Sequence, residues 1–386
     1  MNLLNFGRMS AGFVAVLVGY TSAAAIIFQA AHNLGLEDGA IASWFWALGI
    51  GMAATTIGLS LYYKTPVVIV WSTPGAALLV TGVEGLTVGQ AAGVFLASSL
   101  MVLITGLTGA FDKIMSFIPG PLAAAMLAGI LLQFGLQVFA QLTDHTLLVG
   151  AMLAAYFVVK PLLARYAIPI ALLVGLVVAS VLGQTQLGEI SWQMAKPVWV
   201  TPEFSLSALI GVAIPLYLVT MASQNLPGLA VLRAHGYSVP ASPIVSVTGA
   251  TGLLMAPFGG FAYNLAAITA AICMGEDADP DPKQRYWAAV WAGLFTAVAG
   301  VFAASVVALF LALPTALVAA IAGLALLATI GNSLASALGD EASKEVATIT
   351  FLVTASGVTL FGINSAFWGL VAGLLVTHWW QRRATA

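Results

Sequence analysis

Charged residues are scarce in this chain of 386 residues: 7% of the sequence is charged and 61% is hydrophobic. An average soluble protein has about 25% charged residues, so a water-soluble globular fold is excluded. We predict an all-α polytopic membrane protein surrounded by the lipid bilayer. Its few basic residues are interpreted as signals of membrane topology, and no nucleic-acid partner is expected.

Groups that could carry out catalysis or bind a metal are also scarce. The single cysteine, Cys273, excludes an internal disulfide and a thiolate metal site. No two of the four histidines have metal-ligand spacing. The acidic loop from Gly275 to Lys283 lacks the spacing and the closing Glu of a calcium loop. We therefore expect no catalytic residues, no metal, no cofactor and no enzymatic activity.

Long apolar runs are abundant. The first, from Met9 to about Ala31, is too long for a signal-peptide core, and we expect it to be retained as a membrane span. Short polar stretches divide the chain into about fourteen apolar segments of membrane-crossing length or slightly shorter. They lie near residues 11–34, 40–62, 66–82, 87–111, 118–140, 145–163, 167–184, 205–232, 240–256, 257–275, 284–312, 314–336, 345–361 and 363–380.

An internal repeat relates the two halves of the chain. The segment from Ile118 to Gly129 aligns without gaps on the segment from Leu313 to Leu324, and both contain a proline at the second position. Seven spans per half is an odd number, so the second half runs opposite to the first, which predicts two inverted repeats. The alternative explanation is a shared bias towards Ala, Leu and Gly, but the paired prolines favour the repeat.

The basic residues predict the orientation. With a cytoplasmic N-terminus, Lys196 is the one basic residue that falls outside, as the positive-inside rule requires. We expect a multi-pass protein of the bacterial inner membrane, with both termini in the cytoplasm.

Two segments, from Thr65 to Leu79 and from Ala256 to Thr269, share an unusual pattern in the third and tenth spans. Each has a proline, five residues that favour an extended strand, a polar pair suited to capping a helix, and small apolar residues. The polar pairs are Ser72-Thr73 and Tyr263-Asn264. We predict a short strand followed by a half-helix in each segment. Such interrupted segments at matching positions mark the binding site of a transporter.

Two half-helices that meet in the membrane would form an anion site. Their first N–H groups are free, and each N-terminus carries about half a positive charge. Trp71, Phe258, Phe261 and Tyr263 lie close by in the sequence, so the anion is expected to have an aromatic body. Core packing is the alternative role for these aromatic side chains.

Two further polar groups are predicted inside spans. In the eighth span, the amides Gln224 and Asn225 precede Pro227-Gly228 in an apolar helix, and they bind either substrate or a neighbouring helix at a kink. In the first span, Tyr20 and Ser22 are polar residues that need partners in an apolar medium.

At these positions the sequence resembles the bacterial benzoate transporters, which are benzoate/proton symporters, over essentially its whole length. The motifs that carry the resemblance are Gly19 to Ala31, Trp71 to Gly75, Met221 to Gly228 and Pro257 to Gly260. More distantly, the chain is similar to nucleobase/ascorbate transporters and sulfate-type anion exchangers. That resemblance implies a core domain (residues 1–112 and 201–312) and a gate domain (residues 113–200 and 313–386), with substrate between the third and tenth spans.

The resemblance also implies a function and a site. The function is import of an aromatic monocarboxylate, benzoate by resemblance, through proton symport with alternating access. An anion exchanger or channel for another organic anion remains the alternative, and a homodimer would form through the gate domain. The expected substrate-binding residues are Ser72, Thr73, Pro74, Gly75, Gln224, Asn225, Tyr263, Asn264 and Leu265, with Tyr20, Ser22 and Phe261.

The chain departs from its nucleobase relatives in one respect. Those proton-coupled transporters have carboxylates in the eighth and tenth spans, where Gln224 and Asn264 stand here. Neither amide titrates, so the sequence contains no evident proton relay.

Overall fold

The computed structural model describes residues 5–111, 113, 119–185, 192–341 and 343–384. Residue 112, where the predicted first domain ends, and Ile118, where the predicted repeat begins, lie outside the described residues. The described elements are α1 (Phe6–Asn33), α2 (Asp38–Tyr63), β1 (Ile69–Trp71), α3 (Thr73–Gly82), α4 (Val88–Thr108), α5 (Gly120–Ala140), α6 (Thr146–Val159), α7 (Ala167–Val181), α8 (Leu206–Ala234), α9 (Ala241–Met255), β2 (Tyr263–Leu265), α10 (Ile268–Met274), α11 (Tyr286–Val301), α12 (Ala303–Leu311), α13 (Thr315–Leu338), α14 (Lys344–Ala355) and α15 (Ser365–Ala384).

The helices confirm a polytopic, mostly helical membrane protein. Seven of them, within the described ranges, are long and apolar enough to cross a membrane. An eighth crossing results if α11 and α12, which meet at an angle of 67°, form one bent span. Each of the predicted segments contains a helix, but several of these helices are shorter than a full span, so the count of fourteen crossings stays a prediction.

The helices pack in two sets. In the first set, α2 packs along α11, α4 along α9, and α1 against α3 and α11. In the second set, α5 packs along α13 and α14, α14 against α15, and α6 against α7. Glycines allow close approach within the first set: a Cβ added to Gly49 of α2 would lie 2.6 Å from Cα of Gly300 in α11. Small residues of this kind are how membrane helices achieve tight van der Waals packing.

Strands β1 and β2 form a two-stranded antiparallel sheet in which Val70 lies opposite Asn264. A sheet edge within a bilayer is costly, because unpaired N–H groups have no water to bind there. Side chains of neighbouring helices bind these edge groups instead. The N–H of Ile69 donates to Oγ1 of Thr56 in α2 (2.9 Å), and the N–H of Leu265 donates to Oδ1 of Asn225 in α8 (3.0 Å). The sheet is therefore held in the protein interior from both sides.

The first interrupted segment folds as predicted. β1 is followed directly by the ten-residue helix α3, and Ser72 is its N-cap. The Ser72 hydroxyl accepts a hydrogen bond from the N–H of Gly75 at 3.0 Å. Pro74, at the second helical position, lacks the N–H that would have no partner there.

The second interrupted segment also contains a strand and a short helix, but the predicted cap is wrong. Tyr263 and Asn264 lie in β2, and the seven-residue helix α10 begins only at Ile268, after Ala267. The five residues predicted to be extended, Phe258 to Ala262, do not form the strand, because a 3-10 turn covers Ala256–Phe258 and Gly259 is left-handed (φ 92°). Pairing with β1 keeps residues 263–265 extended, and this delays the start of the helix.

A buried ion pair fixes the far end of α10. Nε of Arg8, at the start of α1, lies 2.6 Å from Oδ2 of Asp279 in the loop after α10. Nη1 of Arg285 donates to the carbonyl of Met274, the last residue of α10, at 2.7 Å. A cation at a helix C-terminus is favourable because the last carbonyls carry partial negative charge. These contacts fix the position of α10 relative to α1.

Candidate functional site

A cavity of about 840 Å³ lies where β1, α3, α8 and the start of α10 meet. Helices α5 and α13 form its opposite wall. The volume falls within the range of about 300–1,000 Å³ that is typical of small-molecule sites. The cavity therefore lies between the two packed sets of helices described above.

The mouth of the cavity lies on one side of the helices. From α5 only residues near its start contribute to the lining, and from α13 only residues near its end. Gly120, Ala164 and Ser336 mark the mouth, because they line the cavity and are exposed. In the predicted orientation this is the cytoplasmic side.

The inner wall is mainly apolar and partly aromatic. The ring of Tyr20 in α1 meets the ring of Trp71 edge to face, with centroids 4.8 Å apart. Val70 and Met126 add aliphatic surface. Such a wall suits an apolar or aromatic ligand.

Several polar groups of the lining residues, among them the side-chain amide of Asn332, have no hydrogen-bond partner among the described residues. Three of them are the buried hydroxyl of Tyr20 on α1, the side-chain amide of Gln224 on α8 and the backbone N–H of Thr73 on α3. A buried hydroxyl without a partner is unfavourable unless a ligand or water completes its bonding. All three groups can donate a hydrogen bond, and all three are uncharged.

The N-terminus of α3 offers fewer donors than the sequence predicts. Thr73 keeps a free N–H, Pro74 has none, and Gly75 donates to Ser72 Oγ. The N–H of Ala76 donates to the carbonyl of Ser72 at 2.7 Å. The N–H of Gly75 is therefore already used by its own N-cap.

Gln224 reaches the cavity through a distortion of α8. Residues Met221–Asn225 form a π-helical turn, and Pro227 follows it. Proline has no N–H to bind the carbonyl of Ser223 four residues earlier, and π-turns inside α-helices occur frequently at functional sites. The turn directs Gln224 to the cavity and its neighbour Asn225 to the sheet. There the side chain of Asn225 accepts the hydrogen bond from the N–H of Leu265.

The predicted residues of the second interrupted segment lie behind the wall of the cavity. Tyr263 donates its hydroxyl to the carbonyl of Ala47 at 2.7 Å, and Phe261 packs its ring 5.0 Å from that of Phe95. Asn264 is fully buried, donates to the carbonyl of Ala262 at 2.8 Å, and has an unpartnered Oδ1. The N–H groups of Leu265 and Ala266 are bonded to Asn225 and to the carbonyl of Val68. Both N–H groups are therefore already used within the protein.

The structure thus brings together part of the predicted site. Tyr20, Ser22, Thr73, Pro74 and Gln224 line the cavity. The hydroxyl of Ser22 is already bonded to the carbonyl of Gly19 at 3.0 Å. The other predicted residues, Ser72, Gly75, Asn225, Phe261, Tyr263, Asn264 and Leu265, shape the wall from behind.

Sequence reasoning missed Lys160, which lies at the mouth of the cavity just after α6. Among the described lining residues it is the only one charged at neutral pH, and none of them is an Asp, Glu or His. No group of three or more His, Cys, Asp or Glu that could hold a metal occurs within the described ranges. In the sequence, Lys160 was interpreted only as a topology signal.

Two interrupted segments that pair beside a central cavity give this chain a fold similar to that of the SLC26 proteins. Over 95% of this chain and 64% of the other, it superimposes on the anion transporter SLC26A9 with a TM-score of 0.65 and 14% identity. Over 96% of this chain and 97% of the other, it superimposes on the transmembrane domain of the cyanobacterial bicarbonate transporter BicA, with a TM-score of 0.60 and 12% identity. At these identities the likeness establishes the fold alone.

Residues 3–379 match the family described as benzoate membrane transport protein, and the chain belongs to that family. It is 48% identical to the inner membrane protein YdcO of Escherichia coli, over 94% of this chain and 93% of the relative. It is 41% identical to the benzoate membrane transport protein of Acinetobacter baylyi, over 95% of this chain and 93% of that relative. The family and these relatives are membrane transporters rather than enzymes.

Proposed function

We propose that this protein imports an aromatic monocarboxylate, benzoate, together with protons across the bacterial inner membrane. The observation that carries the proposal is the cavity, whose aromatic and aliphatic wall includes neutral donors without partners on α1, α3 and α8. The name of the 41% identical relative supports benzoate as the substrate. The name of the other relative supports the inner membrane.

The three donors would bind the carboxylate, and the wall would bind the ring. The Tyr20 hydroxyl, the Thr73 N–H and the Gln224 amide each offer one hydrogen bond, which is worth about 1.5–3 kcal/mol when the acceptor is charged. The partial positive charge at the start of α3 adds to the attraction. The Trp71 ring offers an edge or face for the substrate ring.

Proton coupling would use the substrate's own carboxyl group. Among the described residues that line the cavity there is no carboxylate or imidazole to carry a proton. A bound carboxylate that takes up a proton before the core moves would cross as the neutral acid, which avoids the cost of moving a charge through the apolar part of the protein, and would release the proton on the other side. In the competing function, an anion exchanger or channel of the same fold, the substrate would cross as the anion alone.

We further propose fourteen spans in two inverted repeats, with a core domain of spans 1–4 and 8–11 and a gate domain of spans 5–7 and 12–14. The two packed sets of helices support this division, and the cavity lies between them. Pro119 and Pro314, matched in the repeat, both precede the long helices α5 and α13 that pack on each other. With both termini in the cytoplasm, the cavity opens inward, and alternating access moves the core against the gate.

Liposomes that contain the purified protein should accumulate labelled benzoate under an inward proton gradient. A protonophore should abolish the accumulation, and the recovered label should still be benzoate. Empty liposomes are the essential control, because neutral benzoic acid also crosses a bilayer by itself. Uptake that is independent of the proton gradient but requires a counter-anion inside the liposomes would favour the exchanger.

If a dimer forms, its contacts should come from the gate, since the core must move against it. Cysteine pairs placed on exposed positions of the gate helices should crosslink between subunits with uptake retained. Cys273 is buried, so it should not react and need not be removed. Crosslinks that join two core domains in a fully active protein would contradict this arrangement.

A further inference from the structure

We propose that Lys160 receives the substrate carboxylate on the cytoplasmic side of the cavity; the inference rests on the proposed function. Lys160 directly follows α6 in the gate set of helices, and its partly buried side chain lines the mouth. The neutral donors lie on α1, α3 and α8 in the opposite set. A carboxylate that leaves those donors for the cytoplasm would therefore pass the one described lining residue with a positive charge.

Lys160 also has structural roles, and a second lysine separates them from binding. Its ammonium group lies 5.7 Å from the ring centroid of Tyr156. Lys64, at the end of α2, lies 5.1 Å from the ring centroid of Tyr286 in the same type of contact. Both lysines end a helix on the predicted cytoplasmic side, where a cation stabilises the helix terminus and sets the topology. They differ in that Lys160 lines the cavity and Lys64 does not.

The position of the charge suits an anion that must be released. A lysine beside the neutral donors would be costly to bury when the core closes around it. At the partly exposed mouth the ammonium group stays hydrated and attracts the carboxylate over a longer distance. The screening length that limits this attraction is about 30 Å at 0.01 M salt and about 8 Å at 0.15 M salt. The attraction therefore depends on ionic strength, whereas hydrogen bonds from neutral donors depend on it far less.

The test measures benzoate binding to detergent-solubilised protein by calorimetry at 10 mM and at 500 mM salt. Lys160→Gln should raise the dissociation constant about fivefold to tenfold at low salt and much less at high salt. Lys160→Arg should bind like the parent, because the charge is kept. Lys64→Gln, the matched control, should also bind like the parent at both salt concentrations.

Two results would overturn the inference. One is a Lys160→Gln variant that binds benzoate with the affinity and salt dependence of the parent. The other is an equal loss of benzoate affinity in Lys64→Gln, which would indicate a general effect of surface charge. Thermal unfolding of each variant without benzoate shows whether an affinity change reflects folding. A parent protein that binds no benzoate at all would instead refute the proposed function. The ratio of the dissociation constants of variant and parent thus tests the role of Lys160 separately from the choice of substrate.

Discussion

Replacing Gln224 with alanine should raise the benzoate dissociation constant about tenfold to a hundredfold while the protein stays folded. The side-chain amide of Gln224 lines the cavity and has no hydrogen-bond partner among the described residues, so its removal breaks no internal hydrogen bond. A hydrogen bond to a charged acceptor is worth about 1.5–3 kcal/mol, which corresponds to that loss in affinity. Calorimetry in detergent, with thermal unfolding measured in parallel, provides the test.

Ser223 supplies a matched control one residue away. It also lines the cavity, but its hydroxyl donates to the carbonyl of Val219. Because that donor is already used within the helix, Ser223→Ala should change benzoate affinity by no more than about twofold. An equal loss in Ser223→Ala and Gln224→Ala would point to a general disturbance of the π-helical turn.

Gln224→Glu adds a contrast in charge. An ionised Glu repels a carboxylate, whereas a protonated Glu can donate a hydrogen bond to it. The affinity of this variant relative to the parent should therefore fall steeply as the pH rises from 5 to 8. If Gln224→Ala and Gln224→Glu both bind benzoate like the parent over this range, Gln224 does not bind the substrate.

Local sequence rules predicted the first interrupted segment and failed at the second. The cap at Ser72 depends on a hydroxyl and an N–H three residues apart, so the sequence around it suffices. Tyr263 and Asn264 looked equally suited to capping, but β2 pairs with β1 almost two hundred residues away. A rule that examines only neighbouring residues cannot detect that pairing.

The same limit applies to the amides of α8. The sequence identifies Gln224 and Asn225 as unusual in an apolar helix, but it does not decide which of them binds substrate and which binds a neighbouring segment. The structure separates them, because a π-helical turn directs them to different neighbours and Asn225 binds Leu265 forty positions later in the chain. Lys160 cannot be identified as a cavity residue from the sequence for a different reason: the positive-inside rule alone accounts for a lysine at the cytoplasmic end of a span.

The N-terminus of α3 permits a substitution that removes a single backbone donor. Thr73 is the first residue of the helix, a position that proline favours because its missing N–H has no partner within the helix. Ser72 has φ −80° and ψ 104°, the extended conformation that a residue before proline adopts. The hydrogen bond from the N–H of Gly75 to the Ser72 hydroxyl is not altered. Thr73→Pro should therefore fold with β1 and α3 in place.

Two other substitutions at this position keep the N–H and change the side chain. Thr73→Val has nearly the shape of threonine without the hydroxyl, and Thr73→Ala removes the bulk as well. Both should bind benzoate within about threefold of the parent, since the backbone donor remains. They serve as controls for the hydroxyl and for the space that the side chain occupies.

Thr73→Pro itself should raise the benzoate dissociation constant at least about tenfold, because one charge-assisted hydrogen bond from the helix N-terminus is lost. Calorimetry measures the affinity, and thermal unfolding without benzoate confirms that the helix is intact. If Thr73→Pro binds benzoate as tightly as Thr73→Val, the start of α3 does not hold the carboxylate. Of the three proposed donors, the Tyr20 hydroxyl and the Gln224 amide would then remain.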